Sequence, residues 1–252
     1  MNIVTGKKLT APTVMIYGLS GAGKSTLAAT LTKPVFLDIE GGLKYIDVAK
    51  TENTIKTADE FMGCLLDFIK TPKREYNYIV IDSVDWLVKL FEAKTSGAGQ
   101  GKTLEQLMES ATLTLNKSQG GYGNGAQTLE NYVRTVLVKV LKMLNDKGYG
   151  IVFIAHADRK TLLDADGTNI ERLAPKMDIR SMNVFVEYVD NLFYIKRDDD
   201  GVRHLIVNPT DMVSAKNRIG IEEEEFVLDN NFNFESLITT GKAQKAGKTN
   251  KE

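Results

Sequence analysis

The sequence predicts an α/β fold of three layers, with helices on both faces of a mostly parallel central sheet and an antiparallel hairpin at its C-terminal edge. Three observations carry that expectation. Compact apolar runs alternate with helical patterns through the first 155 residues, as strands covered on both faces require. A glycine-rich turn sits directly between the first apolar run and the first helix. Late in the chain, two apolar runs flank the turn Asp198-Asp-Asp-Gly201.

Each element follows from local pattern. Thr13-Val-Met-Ile-Tyr17 is a continuous apolar run stopped by Gly18, which marks a buried strand. A helix is predicted from Ser25 to Leu31, closed ahead of Pro34, because proline has no amide to continue it. Val35-Phe-Leu37 is a second buried strand, followed by Asp38-Ile39-Glu40 and Gly41-Gly42. Thr57-Ala-Asp-Glu60 is a capping box: the threonine oxygen and the glutamate each satisfy a free amide at a helix start. That helix runs to about Lys70, ahead of Pro72. Tyr78-Ile-Val-Ile81 is a third strand ending at Asp82-Ser83, with a helix through Trp86 and Leu90 beyond.

Residues 97–125 hold seven of the chain's 21 glycines among Ser, Thr, Gln and Asn. They predict a long loop with a short helix within 104–115. From Thr128 to Asn145, the residues Val133, Val136, Leu137, Val140, Leu141 and Leu144 recur at helical spacing, up to Gly148. Ile151-Val-Phe-Ile-Ala155 is a fourth strand ending at His156, and residues 157–183 read as a second long polar connection. Val189–Lys196 and Arg203–Val207 close the sheet as a hairpin. The chain thus divides into a polar lead-in at 1–12, one core at 13–238 with long loops at 95–127 and 157–183, and a lysine-rich tail at 239–252, expected to be disordered.

Composition narrows the function. Apolar residues make up 42% and charged residues 26% of 252 residues, and no run approaches the ~18 apolar residues of a membrane span. The opening MNIVTGKKLTAPT lacks the apolar core of an export signal, so a cytoplasmic location is expected. A single cysteine and two histidines leave no material for a Cys/His zinc site. With a net charge of −1, any contact with nucleic acid must come from local basic segments.

The chemistry concentrates in Gly18-Leu-Ser20-Gly21-Ala22-Gly23-Lys24-Ser25-Thr26, which fits G-x-x-x-x-G-K-[ST] between a strand and a helix. Glycines let successive amides curl toward a phosphate, and the helix start adds free amides. Lys24 supplies a mobile positive charge, and Ser25 offers a hydroxyl to Mg²⁺ with Thr26 beside it. Asp82, at a strand end, is placed to hold the same magnesium. Gly97-Ala-Gly-Gln-Gly101-Lys102-Thr103 looks similar but is one residue short and follows a helix, so it reads as loop. Hydrolysis also needs a base for water. Glu40 is the first candidate, with Asp38 and Asp85 as alternatives. His156, at the end of the fourth strand, is positioned as a neutral imidazole donating to the outermost phosphate.

These residues resemble the RecA-like ATPases, and most closely the short bacteriophage RecA-like proteins associated with single-strand annealing and recombination. The matching segments are GLSGAGKST at 18–26, FLDIEGG at 36–42, YIVIDS at 78–83, IVFIAHADRK at 151–160 and SAKNRIG at 214–220. The resemblance spans about 13–220. It implies ATP and Mg²⁺ as cofactors, Glu40 as the catalytic acid and His156, where RecA itself carries glutamine, as the γ-phosphate sensor. It also implies that Lys216 and Arg218 reach the nucleotide of a neighbouring subunit in a homo-oligomeric ring or filament. Such cations in trans are worth roughly 10³–10⁵ in rate in other P-loop systems.

The resemblance further implies single-stranded DNA held by the two long loops, with a single-strand DNA-binding protein as a further candidate partner. It also places the protein in the bacterial host cytoplasm if phage-encoded. In the first loop the candidates are Lys102, Lys117 and Tyr122; in the second they are Arg159, Lys160, Arg172, Lys176 and Arg180. The second loop also carries Asp158, Asp164, Asp166, Glu171 and Asp178, so its charge balances to zero. Competing readings are fewer. The Asn-Lys-x-Asp element of GTPases and the Leu-Ser-Gly-Gly-Gln segment of ABC ATPases are absent. A monomeric small-molecule or nucleotide kinase, with Arg159 and Arg172 as lid cations, is the alternative, and a helicase-like motor subunit is another.

Overall fold

The computed structural model describes residues 5, 10–99, 103–163 and 166–243. It opens with β1 (Thr13–Gly18), buried along its whole length. Side chains alternate across a sheet, so Met15 and Tyr17 enter one apolar cluster while Val14 and Ile16 enter another. The glycine-rich turn leads into α1 (Lys24–Ala28), which is shorter than the expected 25–31. Past Ala28 the bonds tighten to the three-residue type, with Leu31 N donating to the Ala28 carbonyl at 3.3 Å. The Thr30 hydroxyl and Lys33, at a φ of 52°, then draw the chain away from helix before Pro34.

Next come β2 (Pro34–Asp38), the two-residue β3 (Ala49–Lys50) and α2 (Ala58–Lys70). The capping box forms as read: Glu60 N donates to Thr57 Oγ1 at 3.1 Å and Thr57 N donates to the Glu60 carboxylate at 3.3 Å. β4 (Tyr78–Asp82) is wholly buried and passes at once into α3 (Val84–Ser96). The glycine-rich stretch beyond it holds α4 (Leu104–Ser110), shorter than the span allowed for it. The following long helix starts earlier than Thr128 and is interrupted. It comprises α5 (Asn124–Tyr132), one wide π-type turn over Val133–Leu137, and α6 (Val138–Asp146).

β5 (Gly150–Leu163) corrects the expectation for 157–183. Its first six residues are buried in the core, and the rest project beyond it. There they pair antiparallel with β6 (Asn169–Pro175), Ala157 opposite Pro175 and Leu163 opposite Asn169. The expected loop is therefore a β-arm followed by the first turn of α7 (Ile179–Tyr188). Cross-strand hydrogen bonds satisfy this backbone, and its apolar residues, Ala157, Leu162, Leu173 and Ala174 among them, are scattered between charged ones, which is why hydropathy gave no sign of it. β7 (Asn191–Arg197) and β8 (Arg203–Ile206) form the predicted hairpin. β9 (Lys216–Asn217), β10 (Glu225–Val227) and α8 (Phe234–Thr240) follow. α8 enters the segment read as tail, and residues 244–252 of that segment lie outside the described residues.

The sheet order is β10-β8-β7-β1-β5-β4-β2-β3. It is parallel from β7 to β3 and antiparallel at the β8 and β10 edge. One face is covered by α2, α3, α5–α6 and α7, and the other by α1 and α8. The expected three layers are present. β5 lies between β1 and β4, so the glycine turn and Asp82 face each other across one strand. Gly18 is level with His156, and Asp38 with Asp82, so all four residues meet at the carboxyl edge of the sheet. Among the described residues, no helix is long and apolar enough to cross a membrane.

Candidate nucleotide site and the neighbouring groove

At that edge a cleft of about 260 Å³ is lined by Ser20, Gly21, Gly23, Lys24, Ser25 and Thr26 on one side and by Glu40, Asp82 and His156 on the other. Lys24 curls back over its own loop, its ammonium donating to the carbonyls of Gly18 (3.1 Å) and Leu19 (2.9 Å). Gly18 itself is packed so tightly that a Cβ there would run into the Ile195 carbonyl. Ala22 departs from the others: it is buried in the core, and its amide donates to the Leu19 carbonyl at 3.2 Å. Ser25 donates its hydroxyl to Asp82 Oδ2 at 2.6 Å across β5.

Glu40 is held from β2. The amides of Ile39 and Glu40 both donate to the Asp82 carbonyl, at 2.8 and 3.3 Å, which ties the end of β2 to β4. The Glu40 carboxylate accepts from the Ser83 hydroxyl at 3.1 Å, and its other oxygen lies 3.6 Å from His156 Nε2. The two alternative bases are used elsewhere. Asp38 accepts from the Gly41 amide at 2.7 Å and forms the turn after β2. Asp85 accepts from the His156 backbone amide at 3.1 Å and contacts His156 Nδ1 at 3.0 Å.

Electrostatics sharpen these roles. Burial, with the Glu40 and Asp38 charges nearby, pushes the Asp82 carboxyl up to about 6 against the Ser25 hydrogen bond and the Lys24 charge. Burial pulls the Lys24 ammonium below the ordinary lysine value, opposed by Asp82, Glu40 and Asp85. The hydrogen bond that His156 gives to Asp85 holds the imidazole above its usual value. Burial acts to raise Asp85, and the His156 contacts outweigh it and hold the carboxyl below the usual range. This geometry bears on the expected neutral imidazole. A neutral ring that gives its Nδ1 proton to Asp85 has a bare Nε2, which accepts and cannot donate to a phosphate. Only the imidazolium donates on both sides, and Asp85 favours it.

Two residues of the site were missed by sequence reasoning. Ser83, wholly buried, carries Glu40; it stands directly after the strand-end aspartate, and the sequence reading assigned it no role beyond marking the strand's end. Arg203 also lines the cleft, from β8. Period-two spacing from the buried Leu205 was the available signal.

A larger groove of about 690 Å³ opens beside this cleft, lined by Asp85, Trp86, Val88, Lys89, Lys160 and Lys176 among others. Trp86 is 48% exposed there. Both walls touch His156: Asp85 through its carboxylate, and Lys176 through its amide, which donates to the His156 carbonyl at 2.8 Å. Of the expected DNA contacts, the structure brings Lys160 and Lys176 into this groove. Lys160 also pairs with Asp158 at 3.3 Å. Arg172 lies opposite Lys160 on β6 and donates to the Asp211 carbonyl at 3.3 Å. Arg159 and Arg180 are exposed on β5 and α7, and Lys117 and Tyr122 are exposed on the segment before α5. Lys102 lies outside the described residues. Tyr45, 90% exposed, does not line the nucleotide cleft, although Ile46 does.

Lys216 and Arg218 are not brought to the cleft of their own chain. β9 pairs with the start of β7, at the opposite edge of the sheet. The Lys216 ammonium closes the end of α7, donating to the carbonyls of Val186 (2.6 Å), Val189 (2.7 Å) and Glu187 (3.3 Å). Arg218 lies 3.5 Å from Asp190.

A hydroxyl and a carboxylate facing each other beside a buried lysine on a glycine loop are the elements of nucleotide binding and hydrolysis. The family described as AAA domain matches residues 10–219, well over half of the chain. No curated protein sequence matches it.

Proposed function

The chain belongs to the AAA domain family of nucleotide-binding and hydrolysing P-loop proteins, and from that premise we propose that it is a RecA-like ATPase that binds single-stranded DNA and promotes annealing or strand pairing in DNA recombination. The observation that carries this reading is the convergence at one sheet edge of Lys24, the Ser25–Asp82 contact at 2.6 Å, Glu40 and His156. The strand order, with β5 between β1 and β4, and an acid directly after β2 support the RecA-like assignment.

Ser25 and Asp82 fit Mg²⁺: both offer hard oxygen, and Asp82 is a buried carboxylate facing Glu40 and Asp38 charges that a cation offsets. No group of three or more His, Cys, Asp or Glu side chains suited to a metal is found among the described residues, as expected where phosphate and water complete the shell. When bound, the ion neutralises phosphate charge. The chain's own groups do the rest. Lys24 leaves its two carbonyls to meet the outer phosphates. Glu40, held by Ser83, accepts the proton of the attacking water. The His156 imidazolium donates to the departing charge and reports its loss to Asp85.

The groove supports the DNA part of the reading. Trp86 offers a face on which a base stacks, an effect worth roughly 1–3 kcal/mol per base, and Lys89, Lys160 and Lys176 surround it. Its two walls hang on the residue that senses phosphate, so occupancy of one site alters the other. Hydrolysis at contacts between subunits remains part of the proposal, with the exposed Arg218 as the cation offered to a neighbour; Lys216, engaged in its own chain, supports that segment.

The test is ATP hydrolysis by purified protein, with and without single-stranded DNA, over a range of protein concentrations. DNA stimulation and a steep concentration dependence are expected, with Lys24→Ala abolishing turnover and Trp86→Ala removing the stimulation alone. Phosphoryl transfer to a small acceptor without DNA would instead establish a kinase.

A further inference from the structure

The cleft contains a cation that the reading above leaves unused. Arg203 opens β8, directly after the turn that joins it to β7. Leu205, two residues on, is buried in the apolar cluster around α1, so strand alternation puts Arg203 on that same face. Register fixes its height. Gly18 lies opposite Ile195, Ile195 opposite Leu205, and Arg197 opposite Arg203. Arg203 therefore stands two residues beyond the end of β1, where the main chain turns into the glycine loop.

It leans on that loop. A Cβ built on Gly23 would lie 2.9 Å from Arg203 Nε and 3.1 Å from its Cζ. Gly23 also has a φ of 98°, so the loop needs glycine here both for its turn and for the guanidinium against it. Among the described residues Arg203 has no ion pair. Its neighbour His204 is taken by Asp198 at 2.9 Å and Glu225 at 3.5 Å. The acids of the cleft are engaged as well: Asp82 by Ser25, and Glu40 by Ser83 and His156. Arg203 and Lys24 thus line one cleft with no carboxylate paired to Arg203. Cations without a carboxylate partner beside a glycine turn at a helix start form a receptor for an anion.

We propose that Arg203 binds the inner phosphates of the nucleotide held by its own chain. The inference rests on the nucleotide reading of the glycine loop. The groups that act on the outermost phosphate, Glu40, Asp82 and His156, come from β2, β4 and β5, all on one side of β1. Arg203 approaches from the other side, past β7, and so meets the phosphates that ADP and ATP share. A planar guanidinium presents two parallel donors to such oxygens, which an ammonium does not.

The experiment is equilibrium binding of fluorescent ATP and ADP analogues to wild type, Arg203→Ala, Arg203→Lys and Lys24→Ala, with thermal unfolding of each without nucleotide. Arg203→Ala should weaken both nucleotides by roughly 10- to 100-fold, with Arg203→Lys in between. The unfolding temperature should change little, because the side chain has no ion pair to lose among the described residues. Arg203→Gln, which keeps the stem against Gly23, should reproduce the loss and guards against a packing effect. Affinities within about twofold of wild type, while Lys24→Ala abolishes binding, overturn the inference and leave the nucleotide site standing. A loss confined to ATP overturns the assignment to the inner phosphates. If wild type binds neither nucleotide, the reading of the loop itself fails and this inference falls with it.

Discussion

Asp82→Asn should stabilise the nucleotide-free protein while impairing its use of magnesium. The carboxyl is 6% exposed and is pushed from 3.8 to about 6, first by burial and then by Glu40 and Asp38. That rise corresponds to about 3 kcal/mol of penalty on the charged form at neutral pH. Asparagine keeps an oxygen to accept the Ser25 hydroxyl and removes the charge. It also removes an attraction for Lys24, so the net gain should be about 1–3 kcal/mol. The sign follows from the two protonation states. Below pH 3.8 Asp82 is neutral folded or unfolded, and no penalty exists. Between 3.8 and about 6 the unfolded chain ionises while the folded one resists, and wild type loses stability. Above that the loss is complete. Denaturant unfolding without magnesium should therefore show the variant equal to wild type at about pH 3.5 and more stable at about pH 7. Nucleotide affinity measured with magnesium and with a chelator should show that the variant has lost the magnesium-dependent increment. In wild type that increment should weaken roughly tenfold between about pH 7 and pH 5, as the charged fraction falls. A variant less stable than wild type at neutral pH, or one that keeps the increment, would refute the reasoning.

Two further outcomes are expected. The His156 ring should titrate above 6.5, because Asp85 stabilises its charged form, and Asp85→Asn should move that titration down in an NMR pH series. The stability from this pair is complete below 6.5 and is lost as pH rises through the folded value; an unmoved titration in Asp85→Asn contradicts the pairing. Lys216→Met should lower the unfolding temperature, because three carbonyls at the end of α7 lose their donor, and should leave nucleotide affinity of the isolated chain intact. Weakened affinity there would show that Lys216 serves the site in its own chain.

Much of the core was legible because its signals are local. β1, β2 and β4 are short apolar runs with abrupt ends, and the glycine motif and the Thr57 capping box are fixed spacings with one geometry each. The β-arm was hidden because its backbone is satisfied by a partner strand six to eighteen residues away in β6, and charged side chains such as Lys160 and Arg172 interrupt its few apolar residues. The π turn was hidden because Leu129, Val133, Leu137 and Leu141 keep a near-helical spacing through it. At the site, Lys24, Ser25 and Asp82 were readable from motif and strand ends. The partnership of Asp85 with His156 was not, because 71 residues separate them and only the order of β4 and β5 makes them neighbours. Trp86 escaped for a similar reason: one step from Asp85 along α3, it looks like any helical aromatic until Lys160 of the arm is seen to line the same groove.

β5 runs without a break from the middle of the sheet, past His156, to the tip of the arm at Leu163. Seven residues of extended chain beyond His156 span roughly 23 Å, braced on one side by β6. β6 is itself tied to the core side, the Leu173 amide donating to the Met212 carbonyl at 2.8 Å. Carried along the paired strands, a tilt of a few degrees where His156 meets the cleft would sweep the far end through about an ångström, so the arm has the length to amplify a displacement of that ring.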